Sequence, residues 1–267
     1  MADWINKIVV VAGGSKGLGL AIAEAFHSRG AHVLILARDN EKIQRLVQRL
    51  NQSRTDSATG HSTDMTDDVD VERVSDLIVE QFGSINVWVN AVGQSTRVEF
   101  SKISADVYRE LMEQNFFSAV TGSYAAIKLM KQGEGHVVNI GSLACKTAWP
   151  YVAPYVTSKH ALAGFANQLR LEGPKNIHSL LVCPGPIRSE GAEPRYEVTS
   201  DMTEGAARPG AGAPVKAIDP DWLANEIVVA CEKRKPELIV PAKTRILFGL
   251  QQLLPRLGEA LLKRFVK

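Results

Sequence analysis

Tyr155 and Lys159 stand four residues apart in a segment opened by Pro154. Helical spacing puts both side chains on one face, about 6 Å apart along the axis. A free tyrosine, with a pKa of about 10, is a poor proton shuttle at neutral pH. A lysine ammonium fixed beside it stabilises the phenolate and lowers that pKa, so the pair can give and take a proton. Ser142 precedes Tyr155 by thirteen residues, just past the apolar run Val137–Ile140. Its hydroxyl can hold a carbonyl or alcohol oxygen near the tyrosine. Tyr124 and Lys128 repeat the spacing, but Leu111 occupies the position thirteen residues before Tyr124. That second pair falls in mid-helix, away from a strand end, and is read as structural.

A glycine turn follows the first apolar run: Ala12-Gly13-Gly14-Ser15-Lys16-Gly17-Leu18-Gly19. Glycines at 13, 17 and 19 permit a tight turn, close backbone approach to a ligand and close helix–strand packing. The next helix aims its free N–H groups at the turn, which suits a pyrophosphate. Gly13, Ser15, Lys16, Gly17, Leu18 and Gly19 are thus expected to hold a dinucleotide. A Gly-Lys-Ser/Thr phosphate loop is excluded, because Lys16 precedes Gly17 and Leu18 follows it. The second strand ends Leu36-Ala37-Arg38. A carboxylate there would bind the adenosine ribose hydroxyls and repel a 2′-phosphate; Ala37 removes it, and Arg38 offers a bidentate contact. With Lys16 as a second cation, the expected cofactor is NADP(H) rather than NAD(H).

These groups must be positioned by alternating elements. Strands are expected at Ile8–Val11, His32–Leu36, Ile85–Val89, Val137–Ile140, Ile177–Val182 and Leu238–Val240, with a weaker one at Ala58–Thr63. Helices are expected at about Leu18–Arg29, Glu41–Asn51, Val69–Phe82, Asp106–Lys131, Pro154–Leu171 and Pro220–Glu232. Strands apolar on both faces, separated by helices, predict a doubly wound α/β fold with a parallel sheet of about seven strands covered on both faces. Ligands then bind at the carboxyl ends of the strands. At 267 residues one domain is expected over 1–243, including a Gly-, Ala- and Pro-rich lid at 187–218. An amphipathic extension over 244–267 follows.

In these ordered motifs the sequence resembles a single-domain member of the short-chain dehydrogenase/reductase family, over about residues 5–242. The glycine turn is similar to the family's Thr-Gly-x-x-x-Gly-x-Gly, with Ala12 for threonine. Asp64 resembles the acid after the third strand, where Asp64 and Met65 would neighbour adenine. Asn90-Ala-Val-Gly93 resembles Asn-Asn-Ala-Gly, with Ala91 for the second asparagine; Asn90, Ala91 and Gly93 are carried over as cofactor contacts. Asn115 matches a helix asparagine that helps hold a water linking the lysine to solvent. Pro184-Gly185-Pro-Ile187-Arg-Ser189 resembles the motif at the nicotinamide, with Ser189 for a threonine. The resemblance implies a Rossmann-type fold and carbonyl–alcohol interconversion. In it Tyr155 is the proton donor, Lys159 contacts the nicotinamide ribose, Ser142 orients the carbonyl and Asn115 supports proton resupply. Reduction is the expected direction, and a homodimer or homotetramer the expected assembly.

Composition excludes other classes. The apolar fraction, 45%, is ordinary for a globular chain, and no run of eighteen apolar residues suggests a spanning helix. Cys145, Cys183 and Cys231 are odd in number and far apart, which suits reduced thiols. The start, Met1-Ala2-Asp3-Trp4, lacks a secretory pattern, so a cytoplasmic location is expected. No histidines pair at i, i+4 and no Cys-x-x-Cys occurs, so no metal site is expected. Nucleic-acid binding is not expected, for want of a basic recognition element.

Substrate residues are less determined. Ser142 belongs to the site, and Trp149 and Tyr151 can line a pocket for an apolar or ring-bearing carbonyl substrate. Packing of the loop or of a subunit contact is the other reading of Trp149. Cys145 is either a modifiable thiol or a small buried filler. From residue 233 onward nine Lys/Arg face two Glu, a charge of +7 that leaves −5 for the rest of a chain of net +2. Ile246, Leu250, Leu253, Leu257, Leu261 and Phe265 form a stripe, with Pro255 starting or kinking its second half. It can pack on the domain or on a second subunit, or lie on an anionic membrane as a peripheral contact. Two other function classes compete: a catalytically silent NADP(H)-binding regulator, and a membrane-peripheral reductase of a lipid-like ketone.

Overall fold

The computed structural model describes residues 4–130, 135–188 and 216–265. The strands are β1 (Ile8–Ala12), β2 (His32–Ala37), β3 (Ala58–Ser62), β4 (Val87–Asn90), β5 (Gly135–Ile140), β6 (Ile177–Pro184) and β7 (Glu237–Val240). The helices are α1 (Gly17–His27), α2 (Asn40–Ser53), α3 (Asp68–Phe82), α4 (Ala105–Met112), α5 (Ser118–Leu129), α6 (Ala153–Glu172), α7 (Pro220–Glu232), α8 (Thr244–Leu253) and α9 (Pro255–Phe265). Most of the expected lid, and Ser189, lie outside the described residues.

All strand pairs are parallel, in the order β3-β2-β1-β4-β5-β6-β7. Alternation along each strand divides the core. Val9, Val11, Val33 and Ile35 face a cluster with α1, α2 and α7. Val10, Ala12, Leu34 and Leu36 face a second cluster with α3 and α5. This is the doubly wound Rossmann-type arrangement: both sheet faces are apolar because both are covered. The order reverses between β1 and β4, and a ligand crevice opens at such a switch point.

One expectation is corrected. The single helix expected over Asp106–Lys131 is broken by a π-helical turn over Glu113–Phe117, between α4 and α5. The wider turn carries Asn115 inward, where its amide is held by two other segments; such turns gather at functional sites. Of the described part of the C-terminal stripe, Leu250 is half-buried while the other residues stand open. Ile246 and Leu253 are 79% and 81% exposed, and Leu257 is also exposed. Phe248, on roughly the opposite side of α8 from Ile246, is the buried anchor, clustered with Cys145, Cys183 and Ile239.

Candidate active site

The loops at the carboxyl ends of β1, β4, β5 and β6 line one cavity of about 1710 Å³. A site for one small molecule is typically about 300–1,000 Å³, so this one has room for a dinucleotide and a second molecule.

Its first wall is the turn after β1, where Gly13, Ser15, Lys16, Gly17, Leu18 and Gly19 all border the cavity. Gly13 has φ +84°, and a Cβ on it would lie 2.8 Å from the Ala91 backbone. A Cβ on Gly19 would lie 2.2 Å from the Gly13 carbonyl oxygen. Only glycine lets the loop fold this tightly on α1. The N-termini of α2, α3 and α7 are capped by the carboxylates of Asp39, Asp67 and Asp219. That of α1 has no side-chain cap and no acidic residue in its first turn. Its N–H groups and positive dipole end are left for an external anion, so the residues present fit a pyrophosphate.

At the adenosine end, Ala37, Arg38, Asp64 and Met65 line the cavity. Lys16 and Arg38 are exposed and form no ion pair among the described residues. Asp39, the next acid, accepts the Lys42 N–H at 3.0 Å and pairs with its ammonium at 3.0 Å. These bonds, that to the Lys42 backbone foremost, hold its carboxyl below the usual range. Asp64 Oδ1 accepts both the N–H and the hydroxyl of Thr66, at 2.9 and 2.7 Å, closing its own turn.

Ala91 and Gly93 border the cavity, but Asn90 does not. Its amide is spent inside the fold, donating to Ala119 O, Ser123 Oγ and Asn139 Oδ1 and accepting the Trp88 indole N–H. Asn90 therefore ties β4 to β5 and α5. The Ala91 N–H donates to Ala12 O at 2.8 Å, joining the start of this loop to the end of β1.

The chemical groups meet at the ends of β5 and α6. Ser142, Tyr155 and Lys159 all line the cavity. Ser142 caps a short 3-10 turn, its Oγ accepting from the Ala144 N–H at 3.2 Å and its own N–H donating to Cys145 Sγ at 3.4 Å. Its hydroxyl proton remains available to a substrate oxygen. Lys159 is 4% exposed, and its ammonium donates to Ile140 O at 2.9 Å and lies 5.8 Å from the Tyr155 ring centroid. Burial, the largest influence, holds the Lys159 pKa below its usual range.

Asn115 is fully buried and does not border the cavity. Its Oδ1 accepts the Gln94 N–H at 2.8 Å, and its Nδ2 donates to Gln94 O and Ser158 Oγ, both at 2.9 Å. Ser158 Oγ donates in turn to Tyr155 O at 2.8 Å. Both amide protons are thus committed to protein. Asn115 clamps the loop after β4 to α6 through Ser158.

Pro184, Gly185 and Ile187 border the cavity after β6. Of the expected substrate residues Trp149 lines it and Tyr151 does not. Tyr151 has φ +65°, a strained conformation for a side-chain-bearing residue. Its carbonyl accepts the Val98 N–H at 2.9 Å, which fixes the turn before α6. The three cysteines are free and buried.

Gln94 and Ser158, the two partners of the Asn115 amide, are residues that the sequence reading missed. Ser158 had a signal, since 155, 158, 159 and 162 fall on one helix face. Gln94 had none, because it lies in an irregular segment. Among the described residues no helix is long and apolar enough to cross a membrane.

A family-wide sequence profile described as short chain dehydrogenase matches residues 7–199. Over 270 aligned residues the chain is 31% identical to a Dictyostelium discoideum protein described as "Dehydrogenase/reductase SDR family protein 7-like", covering 99% of this chain and 83% of that one. It is similar in structure to a short chain dehydrogenase/reductase from Burkholderia phymatum in complex with NAD, at 20% identity, TM-score 0.83 and 96% of each chain. It is also similar to a gluconate 5-dehydrogenase from Burkholderia cenocepacia in complex with NADP and tartrate, at 20% identity and TM-score 0.75, covering 88% and 94% of the chains. These two structural likenesses establish the fold. The chain belongs to the short-chain dehydrogenase/reductase family of oxidoreductases.

Proposed function

We propose that this chain is an NADP(H)-dependent oxidoreductase that interconverts a small carbonyl compound and its alcohol, working as a reductase with Tyr155 as general acid. The observation that carries the reading is the buried Lys159 ammonium, held by Ile140 O beside the Tyr155 ring at the mouth of β5. A nicotinamide cofactor, when bound, supplies the hydride. Gly13 to Gly19 would hold its pyrophosphate, Lys16 and Arg38 its 2′-phosphate, and Pro184 to Ile187 its nicotinamide end. Ser142 donates a hydrogen bond to the substrate carbonyl oxygen and orients it. The Tyr155 hydroxyl gives its proton to that oxygen, and the Lys159 ammonium stabilises the phenolate left behind. Asn115 and Ser158 hold the first turn of α6 so that Tyr155 stays aligned. Reduction follows from the cofactor class, because cellular NADPH is generally kept reduced.

The test is oxidation of NADPH by the purified chain against ketones and aldehydes spanning sugars, acyl chains and steroids, with NADH in parallel. Turnover with NADPH is expected to exceed that with NADH by about tenfold or more, the worth of one charge-assisted pair. Arg38→Leu should erase most of that ratio. A clear NADH preference would refute the cofactor assignment. NADPH binding without turnover of any carbonyl would leave the silent-regulator reading in its place.

For partners we propose a homo-oligomer. Exposed Phe117, Tyr124 and Leu171 on α5, α6 and the π turn, and Ile246, Leu253 and Leu257 on α8 and α9, offer apolar area that a second copy can cover. Light scattering should give a dimer or tetramer. A monomer that co-sediments with anionic liposomes through residues 244–267 would favour the peripheral-membrane reading.

A further inference from the structure

The start of α8 is a wall of the catalytic cavity. Thr244, Leu247 and Phe248, on one side of the helix, all border it. Phe248 is buried and fixes the helix in a cluster with Cys145, Cys183 and Ile239, and Leu143 packs against the same cluster. Leu143 directly follows Ser142, so α8 is docked on the turn that carries the serine. Leu143 and Leu247 are themselves half-buried, and both border the cavity.

Sheet order sets where this wall lies. α8 follows β7, which stands two strands beyond β5 and five beyond β2. At about 4.8 Å per strand, β7 is about 10 Å past the strand before Ser142 and about 24 Å from the strand before Arg38. The two ends of the cavity therefore differ in chemistry. Lys16, Arg38, Asp39 and Asp64 border the dinucleotide end. The turn after β5 and α8 bring Leu143, Trp149 and Leu247 to the other. Arg188, Asp221 and Lys243 also border the cavity, but they are exposed and keep their charges in water. A half-buried leucine on a cavity wall leaves apolar area against water, and covering that area is favourable. Small-molecule sites commonly fix a ligand by a few polar groups and hold the rest of it by apolar contact. Ser142 and Tyr155 supply the first here, and Leu143 and Leu247 the second.

Resting on the function proposed above, we propose that the carbonyl substrate carries an apolar chain, and that Leu247 on α8 sets the preference for it. The chain runs from the carbonyl at Ser142 past Leu143 to the first turns of α8. The C-terminal extension is then part of the substrate site.

A series of methyl ketones from 2-butanone to 2-decanone, reduced with NADPH, tests this. Wild-type kcat/KM should rise about two- to fourfold with each of the first few added methylenes. Leu247→Gln keeps the helix preference of the position. It should cost 2-decanone about tenfold or more, through KM, and leave 2-butanone within about twofold. Leu247→Trp should fill the wall and shift the preferred ketone to a shorter chain. A flat wild-type series, or a loss in Leu247→Gln equal at every chain length, overturns the proposal. So does turnover of other carbonyls with none in the series. Should Leu247→Gln melt below the assay temperature, Leu247→Ala and Leu247→Trp take its place; a chain-length profile unmoved in both overturns it. Turnover of no carbonyl at all is a failure of the oxidoreductase reading. Calorimetric titration of 2-octanol and 2-butanol into the NADP-saturated chain then decides for Leu247 separately. Tighter binding of the longer alcohol, lost in Leu247→Gln, supports it; equal binding of the two, no binding, or a preference that survives Leu247→Gln sinks it.

Discussion

Two tyrosine–lysine pairs in this molecule share one spacing and have opposite surroundings. The buried face of α5 runs through Ala119, Gly122, Ser123, Ala125, Ala126 and Leu129. Tyr124 and Lys128 are left pointing outward, with Tyr124 59% exposed and its ring 6.5 Å from that of Phe165. The buried face of α6 runs through Ser158, Lys159, Leu162, Ala163 and Ala166, which draws the second pair to the end of β5. A lysine in water is screened and acts weakly on its neighbours. The same group desolvated beside a phenol ring acts strongly. What brings one pair to the cavity and leaves the other in solvent is therefore the helix face that packs, and the spacing only permits it.

The comparison breaks most visibly at the hydroxyl. Tyr155→Phe should lower kcat by about 10²- to 10⁴-fold, the usual worth of a positioned general acid. NADPH affinity, read by fluorescence titration, should change little, because the phenol oxygen alone is lost. Near-wild-type turnover would end the assignment. Gly93→Ala comes next. Its new Cβ would lie 3.1 Å from Asn115 Oδ1 and 3.5 Å from Lys159 Nζ, pressing on the clamp and the ammonium together. Misplacement of that kind should cost about 10- to 100-fold in kcat. Steady-state kinetics with full activity would show that the clamp does not align Tyr155.

The parts that could be read in the sequence are those written by local pattern. β1, β2 from Val33 and β6 from Leu180 are continuous apolar runs because both sheet faces are covered, and the glycine turn shows itself because side chains cannot fit at Gly13 and Gly19. The π turn could not be read this way. Glu113-Gln-Asn-Phe-Phe117 continues a helical pattern, and only long-range bonds to Gln94 and Ser158 carry Asn115 inward. The setting of the Asn90 side chain was hidden for the same reason, since the groups that engage its amide come from β4, β5 and α5. The C-terminal stripe announced an amphipathic helix but not its docking side. That is set by the space beside β7 which Phe248 fills.

A subtler contrast lies in how each lysine couples to pH. Burial lowers the Lys159 pKa from its ordinary 10.5. Between the folded value and 10.5 the unfolded chain holds a proton that the folded chain has released, so this group makes stability rise with pH across that window. Below the window its buried ammonium is a constant cost. Lys159→Met removes that cost along with the bond to Ile140 O. The variant's melting temperature relative to wild type should thus be highest near neutrality and fall as pH climbs. Lys128→Met, on the exposed face, should show a flat difference. Calorimetry from about pH 7 to 10 reads both; parallel curves for the two variants would mean that Lys159 carries no burial penalty.

The smallest expected effect belongs to the outer pair. Tyr124→Phe combined with Lys128→Met should change stability by no more than about 0.5 kcal/mol each, as surface substitutions do. kcat/KM should stay within about twofold, because neither residue borders the cavity. If this double variant lost turnover as deeply as Tyr155→Phe, proton transfer would have to come from the outer face of α5, and the cavity would not be where the chemistry happens. A loss of assembly with turnover per chain retained, seen by light scattering, has a different meaning. It would place Tyr124 in the contact between copies, and the two pairs would then differ in purpose as well as in burial: one made for a proton, the other for a neighbour.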